Sequence, residues 1–330
     1  MAAKAKKALN STWGLIERTG RNSLKDRMYF YNSLVRSGAL YGVEIWGWEG
    51  SKAIEAVYSR YCKAAMGLAR NTPEYIWRCE GGLKSLKYIC RERADRYLLD
   101  VMKMEEGRWP KIVLREEYRG ILNGRPSKSG SKLNKALEEM CCKDITKMIW
   151  DNVEMSQIEQ KLEEGLLHLQ ATMREEENKK IMDSSYNPWF KFLKTCRETE
   201  PYWIDRKTPS WMKLAWCRIR CDNIGKARKK GYRDWLCRLC QGEEETLEHI
   251  FRCRTLLNSV KAEARSFVLN WMGRKTGADF DWLLLQTLRG EPVQEICQFV
   301  GKLLKLTRGG DDSVLDVYDA AAQQVPSEGV

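Results

Sequence analysis

The chain has 330 residues and a net charge of +12, from 57 Lys and Arg against 45 Asp and Glu. That length can bury a sizeable core and leaves room for one large domain or two to three smaller ones. No apolar run nears the ~20 residues of a membrane helix, and no apolar stretch follows the basic start Met1 to Lys7, which excludes a spanning segment and a secretory signal and predicts an intracellular protein, nuclear or cytoplasmic.

Residues 1–118 read as helix after helix. Leu24, Met28, Tyr31, Val35 and Tyr41 recur at helical spacing behind a cap at Asn22 or Ser23. Ile54, Val57, Tyr58, Tyr61, Ala65 and Leu68 form a second apolar stripe behind Ser51. Between them, Ile45 to Gly50 is a glycine-punctuated turn with Trp46 and Trp48 as large anchors. Thr72-Pro73 predicts a cap followed by proline at the first helical position, and Leu83, Leu86, Cys90, Tyr97 and Val101 carry the pattern on to Gly107. Residues 1–130 hold 25 Lys and Arg against 14 Asp and Glu. Such a basic block suits a polyanionic partner, with a solvated helical face as the alternative.

Residues 119–206 open with a predicted flexible loop over 119–132, where Gly120, Asn123-Gly124 and Pro126 fall together. A charged helical arm follows. Met155, Ile158, Leu162, Gly165, Leu169 and Thr172 give a heptad seam too short and flawed for a stable coiled coil, so the arm is expected to pack on its neighbours. His168 reads as an ordinary residue of that arm. Aromatics return at 186–216, and Thr208-Pro209 predicts another helix start.

Residues 207–258 are basic again, with 12 Lys and Arg against 6 Asp and Glu. They contain Cys237, Cys240, His249 and Cys253 in the spacing C-x2-C-x8-H-x3-C. Cys-x2-Cys places two thiolates on one turn, and Thr246 caps a helix on which His249 and Cys253 share a face. This is the Cys3His set preferred by structural Zn2+, and it leaves no ligand position for a catalytic water. The other nine of the twelve cysteines are scattered; without an export signal they read as buried thiols, including the i, i+4 pair Cys217 and Cys221. Three thiolates and Glu243, Glu244, Glu245 and Glu248 make the knuckle loop a poor phosphate clamp. The predicted nucleic-acid surface is therefore Arg218, Arg220, Lys226, Arg228, Lys229, Lys230, Arg233 and Arg238, with Tyr232 and Trp235 placed to stack on unpaired bases. A solvated basic face is the alternative. Residues 259–308 predict two helices around Trp271, Trp282 and Leu283 to Leu285, and 309–330 a polar, disordered tail. The fold class is mainly α.

The block Ser33-Leu34-Val35-Arg36-Ser37-Gly38-Ala39-Leu40-Tyr41-Gly42-Val43-Glu44-Ile45-Trp46-Gly47-Trp48, continued at 58–77, resembles the region after the palm in insect non-LTR retrotransposon reverse transcriptases. The segment from Cys237 to Cys253 is similar to the C-terminal zinc knuckle of that family. The likeness covers roughly 1–110 and 205–255. It implies a thumb-like 1–118 tracking a template–primer backbone, a knuckle module at 207–258, RNA or single-stranded DNA as partner, and an upstream polymerase palm if the protein is longer. Polymerase chemistry needs carboxylates that hold two metal ions. The adjacent acidic pair here, Asp311-Asp312, lacks the aromatic-x-Asp-Asp hairpin context, so no catalytic residue is expected. Two other readings stay open: a zinc-stapled protein-interaction module, and a decayed gene fragment without nucleic-acid affinity.

Overall fold

The computed structural model describes residues 2–19, 23–194, 198–227, 229 and 232–307. Among them the protein is mainly α, and in place of strands there is one isolated antiparallel bridge, Leu236 to Glu244. No helix of the described residues is long and apolar enough to cross a membrane. Asn22, Asp311-Asp312 and the expected tail lie outside the described residues.

The helices group into two compact units threaded from separate stretches of chain. One comprises Met1–Ala5, Arg36–Tyr58 and Lys84–Lys179; the other Lys6–Val35, Ser59–Leu83 and Lys180–Val330. The five consecutive segments expected from composition are thus regrouped.

In the first unit, Gly42 takes a left-handed turn (φ 68°) into the short helix Val43–Trp46, which packs on the helix Leu86–Met102. Gly47 is required there, because a Cβ would stand 2.5 Å from the Val43 carbonyl and 2.9 Å from that of Cys90. Ser85 caps Leu86–Met102 by accepting from the Tyr88 amide. Trp109–Leu122, begun by Pro110, and Lys128–Glu139, capped by Ser127, complete the near side. The expected loop over 119–132 therefore shrinks to 123–127. Gly124 (φ 67°) ends one helix and the Ser127 hydroxyl starts the next, so Gly120 and Ser129 are helical.

Leu98, Tyr118, Leu137, Met140, Ile158 and Leu162 fill the core of this unit. The expected arm is one 28-residue helix, Met155–Met182, whose seam is buried at Ile158, Leu162, Gly165 and Leu169 and half-buried at Met155 and Thr172. Gly165 looks like a flaw in that seam, but a Cβ there would meet the Cys142 Sγ at 2.2 Å.

Arg91 and Asp95 lie one turn apart in this core, and neither carboxyl oxygen of Asp95 has a hydrogen-bond partner. Burial pushes the Asp95 carboxyl up to about 8, against the opposing pull of Arg91. The folded state then keeps a proton that the unfolded chain releases near pH 4. The associated stability is present at low pH and lost as pH rises from about 4 to about 8. Asp95→Asn is thus expected to gain on the wild type between pH 5 and pH 8 in urea unfolding. A stability difference that stays constant over that range would show an ionised, paired Asp95.

In the second unit Trp13 stacks on Tyr61 (centroids 5.3 Å apart), and the Tyr61 hydroxyl donates to the Arg27 carbonyl. Ser23 caps Leu24–Phe30; the helical run continues as a π-helical turn, Tyr31–Arg36, which widens the register that the apolar spacing predicts as plain helix. Pro73 sits at the cap of Glu74–Gly81 rather than at its first helical position. The two helices expected at 259–308 are three, Ala262–Met272, Gly277–Leu288 and Gln294–Leu306, preceded by Arg254–Ser259. Left-handed Gly273 and Gly277 break the first of these from the second.

Candidate metal centre and the segment around it

Leu236 pairs with Glu244 across a small hairpin: the Cys237 amide donates to the Glu243 carbonyl at 2.7 Å, and the Glu245 amide to the Trp235 carbonyl at 2.7 Å. Cys237 and Cys240 sit at its tip, where Gln241 adopts a left-handed φ of 56° and its amide reaches back to the Cys237 carbonyl. Thr246 then caps the helix Leu247–Arg252 by accepting from the His249 amide at 3.0 Å. The helix presents His249, and Cys253 follows at its C-terminal end.

The ligand atoms of Cys237, Cys240, His249 and Cys253 all lie within 4.8 Å of one another, so the four could hold one metal ion. The Cys237 and Cys253 sulfurs are 3.9 Å apart, and the Cys240 Sγ is 3.3 Å from His249 Nε2. His249 Nδ1 stands 3.0 Å from a Glu243 carboxylate oxygen. That partner fixes the ring so that Nε2 faces the thiols, the usual support for a metal-bound histidine. Burial pushes the Cys237 thiol up to about 11, whereas the Gly242 amide draws Cys240 down to about 7.

Two buried contacts brace the hairpin. The fully buried Glu245 carboxylate accepts from the Arg238 amide (2.8 Å) and guanidinium (2.6 Å). Its carbonyl accepts from the Lys226 and Ala227 amides, each at 3.2 Å. Gly225 permits this approach, since a Cβ would lie 2.6 Å from the Glu245 carbonyl oxygen. On the helix side Ile250 and Phe251 are buried. Phe251 stacks on Phe299 (5.3 Å, 9°) and meets Trp271 edge-on at 5.2 Å. The cluster is thereby tied to the aromatic core of its unit.

The basic residues expected to face nucleic acid divide sharply. Residues 212–220 are all buried, Arg218 and Arg220 among them. Arg220 donates to the buried Glu80 through Nε (2.6 Å) and pairs with Glu200 (2.9 Å), while the Tyr202 hydroxyl also donates to Glu80 (2.7 Å). Burial opposes the Arg220 charge, yet Glu80, Tyr202 and Glu200 hold its pKa above the usual arginine value. Lys226 is buried and reaches Asp234 at 3.4 Å. Lys229 is buried against Asp222 (3.0 Å) with its ammonium over the Tyr186 ring. Arg218, Arg220, Lys226 and Lys229 are thus internal, and the half-buried Arg238 is held by Glu245, a correction of the expected surface. Arg228 and Lys230 lie outside the described residues.

What stays at the surface is Tyr232, Arg233 and Trp235, with the two rings 37% and 39% exposed and Leu236 beside them. No known protein family, curated protein or solved structure matches the chain. The functional reading therefore rests on the geometry of this module and on the sequence blocks. Glu80 and Glu245, the buried acids that organise it, carry no distinguishing sequence signal. Each becomes legible only once its arginine is seen to turn onto it.

Proposed function

We propose that the chain is the non-catalytic C-terminal part of a non-LTR retrotransposon reverse transcriptase. It would bind RNA or single-stranded DNA beside a zinc-stapled knuckle, with the polymerase palm of such a protein as its neighbour. The carrying observation is the convergence of three thiols and one imidazole on a single point, directly after the exposed Tyr232, Arg233 and Trp235. Thiolates about 2.3 Å from a tetrahedral zinc stand about 3.8 Å apart, close to the 3.9 Å between Cys237 and Cys253. A closed Cys3His set gives the ion a structural role: it fixes the hairpin to the helix and so presents the aromatic segment. Stacking on those rings would be tolerant of base identity, and Arg233 would add a phosphate contact.

Fluorescence anisotropy with a labelled single-stranded RNA tests this. Affinity should fall steeply between 50 and 200 mM salt, because phosphate contacts release counterions. The triple variant Tyr232→Ala, Arg233→Ala, Trp235→Ala should bind at least about tenfold more weakly, given about 1–3 kcal/mol per stacked base. Binding indifferent to salt, or unchanged in the triple variant, would reject the reading.

One observation favours a second reading, a zinc-stapled protein-interaction module. Among the described residues, the burial of Arg218, Arg220, Lys226 and Lys229 leaves Tyr232, Arg233, Trp235 and Leu236 as an exposed strip more aromatic and aliphatic than basic. A triple variant that loses a protein partner while RNA binding is absent in both proteins would select it.

A further inference from the structure

The first unit contains a cavity of about 340 Å³ between the Val43–Trp46 turn region and the helices Leu86–Met102, Trp109–Leu122 and Lys128–Glu139. Its wall includes the rings of Trp48, Tyr97 and Trp109, the aliphatic Val113, and the carboxylates of Glu44 and Glu117. No lysine or arginine lines it, although the chain carries a net charge of +12. We propose that this cavity binds a small organic cation, an alkylammonium with an apolar or aromatic substituent. The proposal is independent of the nucleic-acid reading.

Charge, rings and preorganisation carry it together. Glu44 is neutralised by Arg93. Glu117 is half-buried and has no cation within ion-pair distance among the described residues. Its oxygens accept from the Ser127 hydroxyl at 2.8 and 2.6 Å. Ser127 is itself fixed, because it accepts from the Ser129 and Gly130 amides as the cap of its helix. Gly130 gives the carboxylate room, since a Cβ there would meet Glu117 Oε2 at 2.5 Å. The negative charge is thus seated before a ligand arrives.

Trp109 lines the cavity and is 78% exposed, so its ring is open to an entering ligand. A cation is attracted to the faces of Trp and Tyr rings. The Trp48 ring already carries the Arg91 guanidinium at 5.4 Å, whereas no cation is seen over Tyr97 or Trp109 among the described residues. A phosphate would be repelled by Glu117, and a neutral apolar ligand would strip water from that carboxylate without replacing it. A volume near 340 Å³ is at the small-molecule end of the pocket range.

The test titrates the full chain with benzyltrimethylammonium and with neopentylbenzene, its neutral counterpart of the same shape, by NMR. The cation should saturate the site at least tenfold more tightly, with shifts centred on the Trp109 and Tyr97 rings. Glu117→Gln should reduce the cation's advantage over the neutral probe several-fold, and Trp109→Ala should weaken both. Absence of saturable binding, equal affinity of the two probes for the wild type, or shifts centred elsewhere would overturn the proposal. The wild-type titration decides even if a variant folds poorly.

Discussion

Cys253→Ser is expected to destabilise the second unit by about 3 kcal/mol or more, a fraction of the roughly 10–16 kcal/mol that structural zinc supplies in small modules. For a unit of this size that corresponds to about 6–12 °C in the thermal midpoint. The size of the effect follows from what the helix Leu247–Arg252 does. It delivers His249 on one side and buries Phe251 against Phe299 and Trp271 on the other. Loss of one ligand frees the hairpin, and the aromatic cluster loses the segment that seats its central ring. A chelator should reproduce the loss in the wild type and add nothing in the variant. Cys141→Ser, at an exposed cysteine in the other unit, should stay within about 0.5 kcal/mol of the wild type. Equal midpoints for Cys253→Ser and the wild type would mean that the cluster holds no ion.

The second large effect is at Arg220. Arg220→Ala leaves Glu80 and Glu200 without their guanidinium, and Glu80 is fully buried. Removing one partner of a buried pair costs about 3–5 kcal/mol, because the remaining charge is stranded. Exchanging both partners for apolar residues of similar volume, Arg220→Met with Glu80→Leu, should recover much of that loss. The salt dependence of RNA binding should not change in either variant, since Arg220 has no path to solvent. A stable Arg220→Ala protein with a shallower salt slope would place the arginine on the binding surface instead, and would restore the surface expected from composition.

That contrast marks what the sequence carries and what it hides. Local chemistry is legible: Ser23 and Thr246 cap their helices as their positions predict. The four ligands converge because Cys-x2-Cys encodes a turn and Thr246 a helix start, both short-range properties. The helix nevertheless ends at Arg252, and Cys253 caps it instead of sharing a helical face with His249. Charge did not translate in the same way. A basic count says nothing about direction, and a helix buried along 212–220 turns its arginines inward. Their partners are remote in sequence; Glu80 lies 140 residues before Arg220. The loop is shorter than the 119–132 that Gly120 and Pro126 predict, because Gly120 is helical and Ser127 caps the next helix. Gly165 looks like a seam defect in the sequence because its reason, the Cys142 sulfur, comes from a distant turn.

The most direct test of the account is the metal content of the purified chain, by native mass spectrometry with X-ray absorption at the zinc edge. The account predicts one zinc per chain in a three-sulfur, one-nitrogen shell, and no zinc in the double variant Cys237→Ser, Cys253→Ser. A wild-type chain prepared in zinc-replete medium that carries no zinc, or a double variant that still carries a full equivalent, would contradict it.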